Sequence, residues 1–133
     1  MKTNSNDIVN YNEEKVQESK TVFDKDEALK IIEDDEEFLK ELAEMFINDS
    51  PELMSNIKEA VSSRNLKALE KSAHKLKGAV AYFGKKPVFK TALKLEMMSE
   101  QSRLDDVEEI YGILVREVER LVNALREFIK PNN

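Results

Sequence analysis

The stretch Leu66-Lys67-Ala68-Leu69-Glu70-Lys71-Ser72-Ala73-His74-Lys75-Leu76-Lys77-Gly78-Ala79-Val80-Ala81-Tyr82-Phe83 carries apolar residues at Leu66, Leu69, Ala73, Leu76, Val80 and Phe83. Steps of three and four place those side chains on one stripe of a helix, with the lysines on its remaining surface. A helix of this kind must bury its stripe against other elements, so the stretch predicts a packed helical domain. Asn65 is the predicted N-cap, and the helix should end near Phe83 with Gly84 as its stop.

The flanking sequence repeats the pattern. Asp34 or Asp35 caps a long segment with Phe38, Leu42, Met45, Phe46, Leu53, Ile57 and Val61 at helical spacing. Ser50-Pro51 interrupts it: Pro51 either starts a new helix capped by Ser50 or kinks a continuous one. Upstream, Asp24 or Asp26 caps a short helix reaching about Ile32, with Phe23 as an apolar plug. Downstream, Pro87 opens a helix to about Ser99 or Gln101. A last helix runs from near Leu104 to Phe128, with Val107, Ile110, Leu114, Val118, Leu121, Leu125 and Phe128 on one face, and Pro131 closes it. Short connections make this an all-α, antiparallel up-and-down four-helix bundle with a short extra N-terminal helix, over residues 21–130. Residues 1–20 are polar and without periodicity, which reads as a disordered tail or a linker.

Composition narrows the function classes. The chain has 133 residues, 36% charged and 41% hydrophobic, with no Cys and no Trp, so neither disulfides nor thiolate metal sites are available. No apolar run approaches the roughly 18 residues of a membrane span, and residues 1–7 lack a signal-peptide core. A cytoplasmic, membrane-independent protein is expected. The formal net charge of −6 argues against nucleic-acid binding, yet nine basic residues and one acid, Glu70, lie between Arg64 and Lys94. That separation gives one face a positive potential suited to an acidic partner.

His74, the only histidine, lies in that basic window. At about 100° per residue it falls roughly 140° from the centre of the buried stripe, so it should face solvent. Lys67, Glu70, Lys71, Lys77, Gly78 and Ala81 share its side within two turns. A neutral imidazole beside ammonium groups can act as a nucleophile or phosphoryl carrier. Gly78 costs about 1 kcal/mol in a helix relative to Ala. Two readings account for it: a tight helix crossing, or room for a partner's surface one turn from His74.

Ala73-His74-Lys75-Leu76-Lys77-Gly78, followed by Gly84, resembles the motif of histidine-containing phosphotransfer (HPt) domains, AHxLKGxxxxxG. Phe23-Asp24, the Phe46-to-Glu52 stretch and Leu95-Glu96 resemble further family features, so the likeness extends over about residues 23–128. The resemblance implies that His74 accepts a phosphoryl group from the aspartate of one response-regulator receiver domain and passes it to another. It places Lys77 at the phosphate, and Lys71, Gly78, Ala81 and Glu96 at the docked partner. Tyr82 and Phe83 stand where the family has smaller or aliphatic residues. A carboxylate at Glu96 can bond a protonated ring nitrogen and would repel a phosphoryl group; sequence leaves its role open. No cofactor is implied for the chain itself, and the Mg²⁺ of the reaction belongs to the receiver. The partners implied are receiver domains, a hybrid sensor histidine kinase, or both, with the carrier acting as a monomer. It is either free-standing, the end of a hybrid kinase, or the first domain of a chemotaxis-type kinase.

Other classes fit less well. Gly78, Gly84 and Gly112 are too scattered for an ATP-cradling loop, so the chain is expected to be a carrier rather than an enzyme with its own ATP site. A helical adaptor binding acidic partners through Lys85, Lys86, Lys90 and Lys94, without phosphotransfer, is the alternative. Glu33-Asp34-Asp35-Glu36-Glu37 is contiguous and reads as an acid-rich helix start rather than a metal site. Met45, Met97 and Met98 read as core filler.

Overall fold

The computed structural model describes residues 22–84 and 86–131. The expected tail at residues 1–20 lies outside them. The helices are α1 (Lys25–Ile31), α2 (Glu36–Ser63), α3 (Leu66–Val80), α4 (Pro87–Glu100) and α5 (Val107–Ile129), and no strand occurs among the described residues. No described helix is long and apolar enough to cross a membrane.

The caps follow from short side chains that satisfy the first free N–H groups. Asp24 accepts from the Glu27 N–H at 3.2 Å, Asp35 from Phe38 at 3.0 Å and Asn65 from Ala68 at 3.0 Å. Arg64, in the left-handed conformation at φ 53°, ends α2 and reverses the chain directly into α3. The acids at the start of α2 thus act as an N-cap and as Glu36 and Glu37 in the first turn.

Pro51 lies inside one continuous α2. It has no N–H for the Ile47 carbonyl, and the Ser50 hydroxyl donates to that carbonyl at 3.2 Å instead. Ser50 therefore repairs the helix rather than capping a new one.

The four long helices pack in the cyclic order α2, α3, α4, α5, with α5 returning to α2. Leu69, Ala73, Leu76 and Val80 of α3 face Leu39, Ala43, Phe46 and Ile57 of α2, Ala92 and Leu95 of α4, and Leu114 and Leu121 of α5 in one core. The Phe23 plug closes one end: its ring meets Phe83 edge-on at 6.1 Å and Phe128 at 5.5 Å, and Phe83 meets Phe46 at 6.0 Å. Leu66, at the start of the predicted α3 stripe, is only partly buried.

The helical stretch that begins with α3 ends at Phe83 with Gly84 as its stop, as expected, and its last three residues, Ala81–Phe83, tighten into a 3-10 turn that swings Phe83 into the core. Two expectations need correction. The last helix starts at Val107, because residues 101–106 form the turn joining it to α4. Met45 and Met97 are not core filler: they are 58% and 45% exposed. The buried line of α2 runs Leu39, Ala43, Phe46, Ser50, Leu53 and Ile57, one residue on from Phe38, Leu42 and Met45. A parallel stripe with the same spacing hid this from the periodicity.

Gly84 joins α3 to α4 at φ 99°, ψ 172°, a region open essentially to glycine alone. A Cβ there would lie 2.8 Å from Oε2 of Glu27, whose other oxygen pairs with Lys86 Nζ at 3.1 Å. Gly84→Ala should therefore lower unfolding stability by about 1–3 kcal/mol. Urea unfolding should show an earlier midpoint with an unchanged slope.

Candidate functional site

His74 projects from the outer side of α3 with 68% of its side chain exposed. The stripe on the opposite side, Leu69, Ala73, Leu76 and Val80, is fully buried, so the ring's direction follows from helical rotation. Beneath it, at the seam of α3 and α4, lies Glu96, buried to 8% exposure.

Glu96 joins the site together. Its Oε2 is 2.8 Å from His74 Nδ1, and its Oε1 is 2.8 Å from Lys77 Nζ in an ion pair. An unpaired carboxylate at this depth would cost several kcal/mol, and two cationic or proton-donating partners offset that cost. Burial pushes the Glu96 carboxyl upward, but Lys77 and His74, through hydrogen bonding and charge, outweigh it and hold the group below the ordinary glutamate range. At neutral pH the group is an anion, and Nδ1 is the ring atom placed to donate to it. Nε2 is left facing outward.

A depressed folded-state pKa makes the Glu96 anion stabilising above the ordinary glutamate pKa. The contribution is lost as pH falls through the folded value. One turn along the same seam, the Glu100 carboxyl is raised, first by its hydrogen bond to the Glu70 side chain.

The remaining predicted residues fall on the ring's face. Lys71, Gly78 and Ala81 are exposed beside His74. A Cβ on Gly78 would meet nothing within 4 Å, which removes the tight-crossing reading and leaves open space over the helix. Tyr82 is exposed and Phe83 is core. Glu96 sits under the ring rather than on the outer face with Lys71 and Ala81. The contact of Glu96 with Lys77 was not foreseen, because it spans two helices and no spacing within either one signals it.

The model of the Hpt domain matches residues 41–128. The chain belongs to the Hpt domain family. It is 28% identical over 108 residues to the phosphorelay intermediate protein rdeA of Dictyostelium discoideum, covering 81% of this chain and 42% of that protein. The chain thus spans about two-fifths of that curated relative's length. Among solved structures it resembles the Hpt domain of a Shewanella sensor hybrid histidine kinase, with a TM-score of 0.72, 20% identity, and 80% of this chain and 92% of that chain covered. Histidine-containing phosphotransfer protein B of Pseudomonas aeruginosa gives the same TM-score and identity, with 93% of that chain covered. Both likenesses bear on the helical fold.

The Glu96 contacts set a titration. Carboxyl-carbon NMR should place the Glu96 midpoint below the ordinary glutamate value, and Lys77→Met should move it upward as burial gains the upper hand.

Proposed function

We propose that this chain is a phosphorelay carrier, taking a phosphoryl group onto His74 from the aspartate of one receiver domain and passing it to the aspartate of another. The observation that carries the reading is the exposed ring bonded through Nδ1 to a buried carboxylate. Family membership agrees with it.

With Nδ1–H donated to Glu96, the Nε2 lone pair is the nucleophile. It attacks the phosphorus of an aspartyl phosphate, forming an N–P bond as the P–O bond to the aspartate breaks and the carboxylate leaves with its electron pair. The ring becomes a cation that keeps its Nδ1 proton, and the Glu96 anion stabilises it. The reverse attack by a second aspartate restores the neutral ring. Proximity and electrostatic stabilisation account for such a step, and a rigid helix supplies the first.

The placement also answers the repulsion expected between Glu96 and a phosphoryl group. Glu96 lies on the Nδ1 side, across the ring from Nε2, and Lys77 neutralises it. In this reading Lys77 stabilises the phosphoryl group partly through that neutralisation. Lys71, with open space over Gly78 and Ala81, receives the docked receiver, and Mg²⁺ belongs to the receiver's own site. The chain acts as a monomer in the cytoplasm, supplied by receiver domains or by a hybrid sensor kinase, and carries the group without an ATP site of its own.

The test is transfer from phosphorylated receivers of the same organism. Wild type should acquire an acid-labile, base-stable label, while His74→Gln should fold normally and acquire none. Label retained on the His74→Gln variant would overturn the assignment. An adaptor without phosphotransfer would leave both proteins unlabelled.

A further inference from the structure

On α2 the residues Phe38, Leu42, Met45, Asp49, Glu52 and Asn56 succeed one another at steps of four and three. They form a second stripe beside the buried one, on the flank that faces α3. Phe38, Met45, Asp49, Glu52 and Asn56 are exposed, and Leu42 is partly buried. The stripe is apolar in its first half and acidic or polar in its second.

The acidic half borders α3 at the residue that follows His74 in the chain. Asp49, Glu52, Leu53, Asn56 and Lys75 line a recess of about 150 Å³ between α2 and α3, and Lys75 is the chain neighbour of His74. Because α2 and α3 run antiparallel from the turn at Arg64, the apolar half continues from this recess toward the exposed Ala81 and Tyr82 end of α3. Asp49 and Glu52 enter no ion pair among the described residues, nor does Lys75. Like charges one turn apart on a helix weaken it slightly, and Lys75 across the recess, exposed and in no ion pair among the described residues, offsets that only weakly, so folding stability gives little reason for this pair.

The face around His74 thus has three bands. Lys67, Lys71 and Lys75 form a cationic ridge on α3, Asp49 and Glu52 an anionic step on α2, and Phe38, Leu42 and Met45 an apolar strip beyond it. The cationic ridge suits any phosphorylated aspartate and its acidic surroundings. The anionic step does not; it disfavours a partner that is acidic throughout and favours one with a cationic group at that register.

We infer that Asp49 and Glu52 are specificity-determining residues, selecting a receiver that presents a lysine or arginine to this step and an apolar patch to Phe38, Leu42 and Met45. This rests on the carrier reading of His74 and adds which receivers it serves. Charges at the rim of an interface act on encounter and salt dependence more than on the chemistry within the complex.

The experiment compares wild type, Asp49→Lys/Glu52→Lys and a control, Glu109→Lys/Glu119→Lys, which makes the same charge change on α5. Each is mixed with the organism's receivers, phosphorylated by a small-molecule phosphodonor, at low and high salt. For the receiver wild type uses best, the Asp49/Glu52 variant should lose about tenfold in kcat/KM at low salt, against little change in the control. The loss should shrink at high salt, and the rate at saturating receiver should stay constant. Reversing a lysine or arginine of that receiver to Glu should restore the variant. Equal kinetics for the variant and control at both salts would overturn the inference while leaving the carrier function standing. If wild type takes no phosphoryl group from any receiver, the carrier reading falls and the inference with it.

Discussion

A carboxylate at the seam of α3 and α4 meets an imidazole nitrogen through one oxygen and an ammonium through the other, both at 2.8 Å. That bridge determines which ring nitrogen holds the proton, which is free, and where the positive charge of a phosphorylated ring would find its counter-ion. Low exposure strengthens each contact by removing competing water, and it makes the arrangement costly to leave half-built. Replacing Lys77 would leave a largely desolvated anion with only the imidazole N–H as a partner, so the carboxylate and the ammonium are tightly coupled.

The packing of the bundle holds α3 and α4 in the register that makes this bridge. Two local devices protect that register. Ser50 takes over the carbonyl that Pro51 cannot bond, which keeps α2 continuous alongside α3. Gly84 allows the chain to leave the 3-10 turn after α3 in a conformation other residues resist, and the Glu27–Lys86 pair closes over it. The aromatic group of Phe23, Phe46, Phe83 and Phe128 then closes the end of the core at which α3 gives way to α4.

Much of this was legible in the sequence, because the deciding signals are local. The α3 stripe, the Asp and Asn caps and the outward direction of His74 all follow from spacing within one helix. The ends of helices were less legible: the 3-10 turn at Ala81–Phe83 depends on Phe83 finding a pocket formed by α2 and residue 23. The double stripe of α2 misled the reading of Met45, since period alone does not say which of two adjacent lines faces the core. The resemblance put Glu96 within reach of the ring, but its second partner, Lys77, lies 19 positions back on another helix, and no spacing within either helix signals that contact. Gly78 was ambiguous until the space above it was seen to be empty.

The most direct measurement is long-range ¹H–¹⁵N NMR of the imidazole of His74, before and after phosphorylation. The account predicts a neutral ring protonated at Nδ1 while Glu96 is ionised, and a phosphoryl group on Nε2 with the Nδ1 proton retained. A ring protonated at Nε2 in the free protein, or a phosphorus bonded to Nδ1, would contradict it.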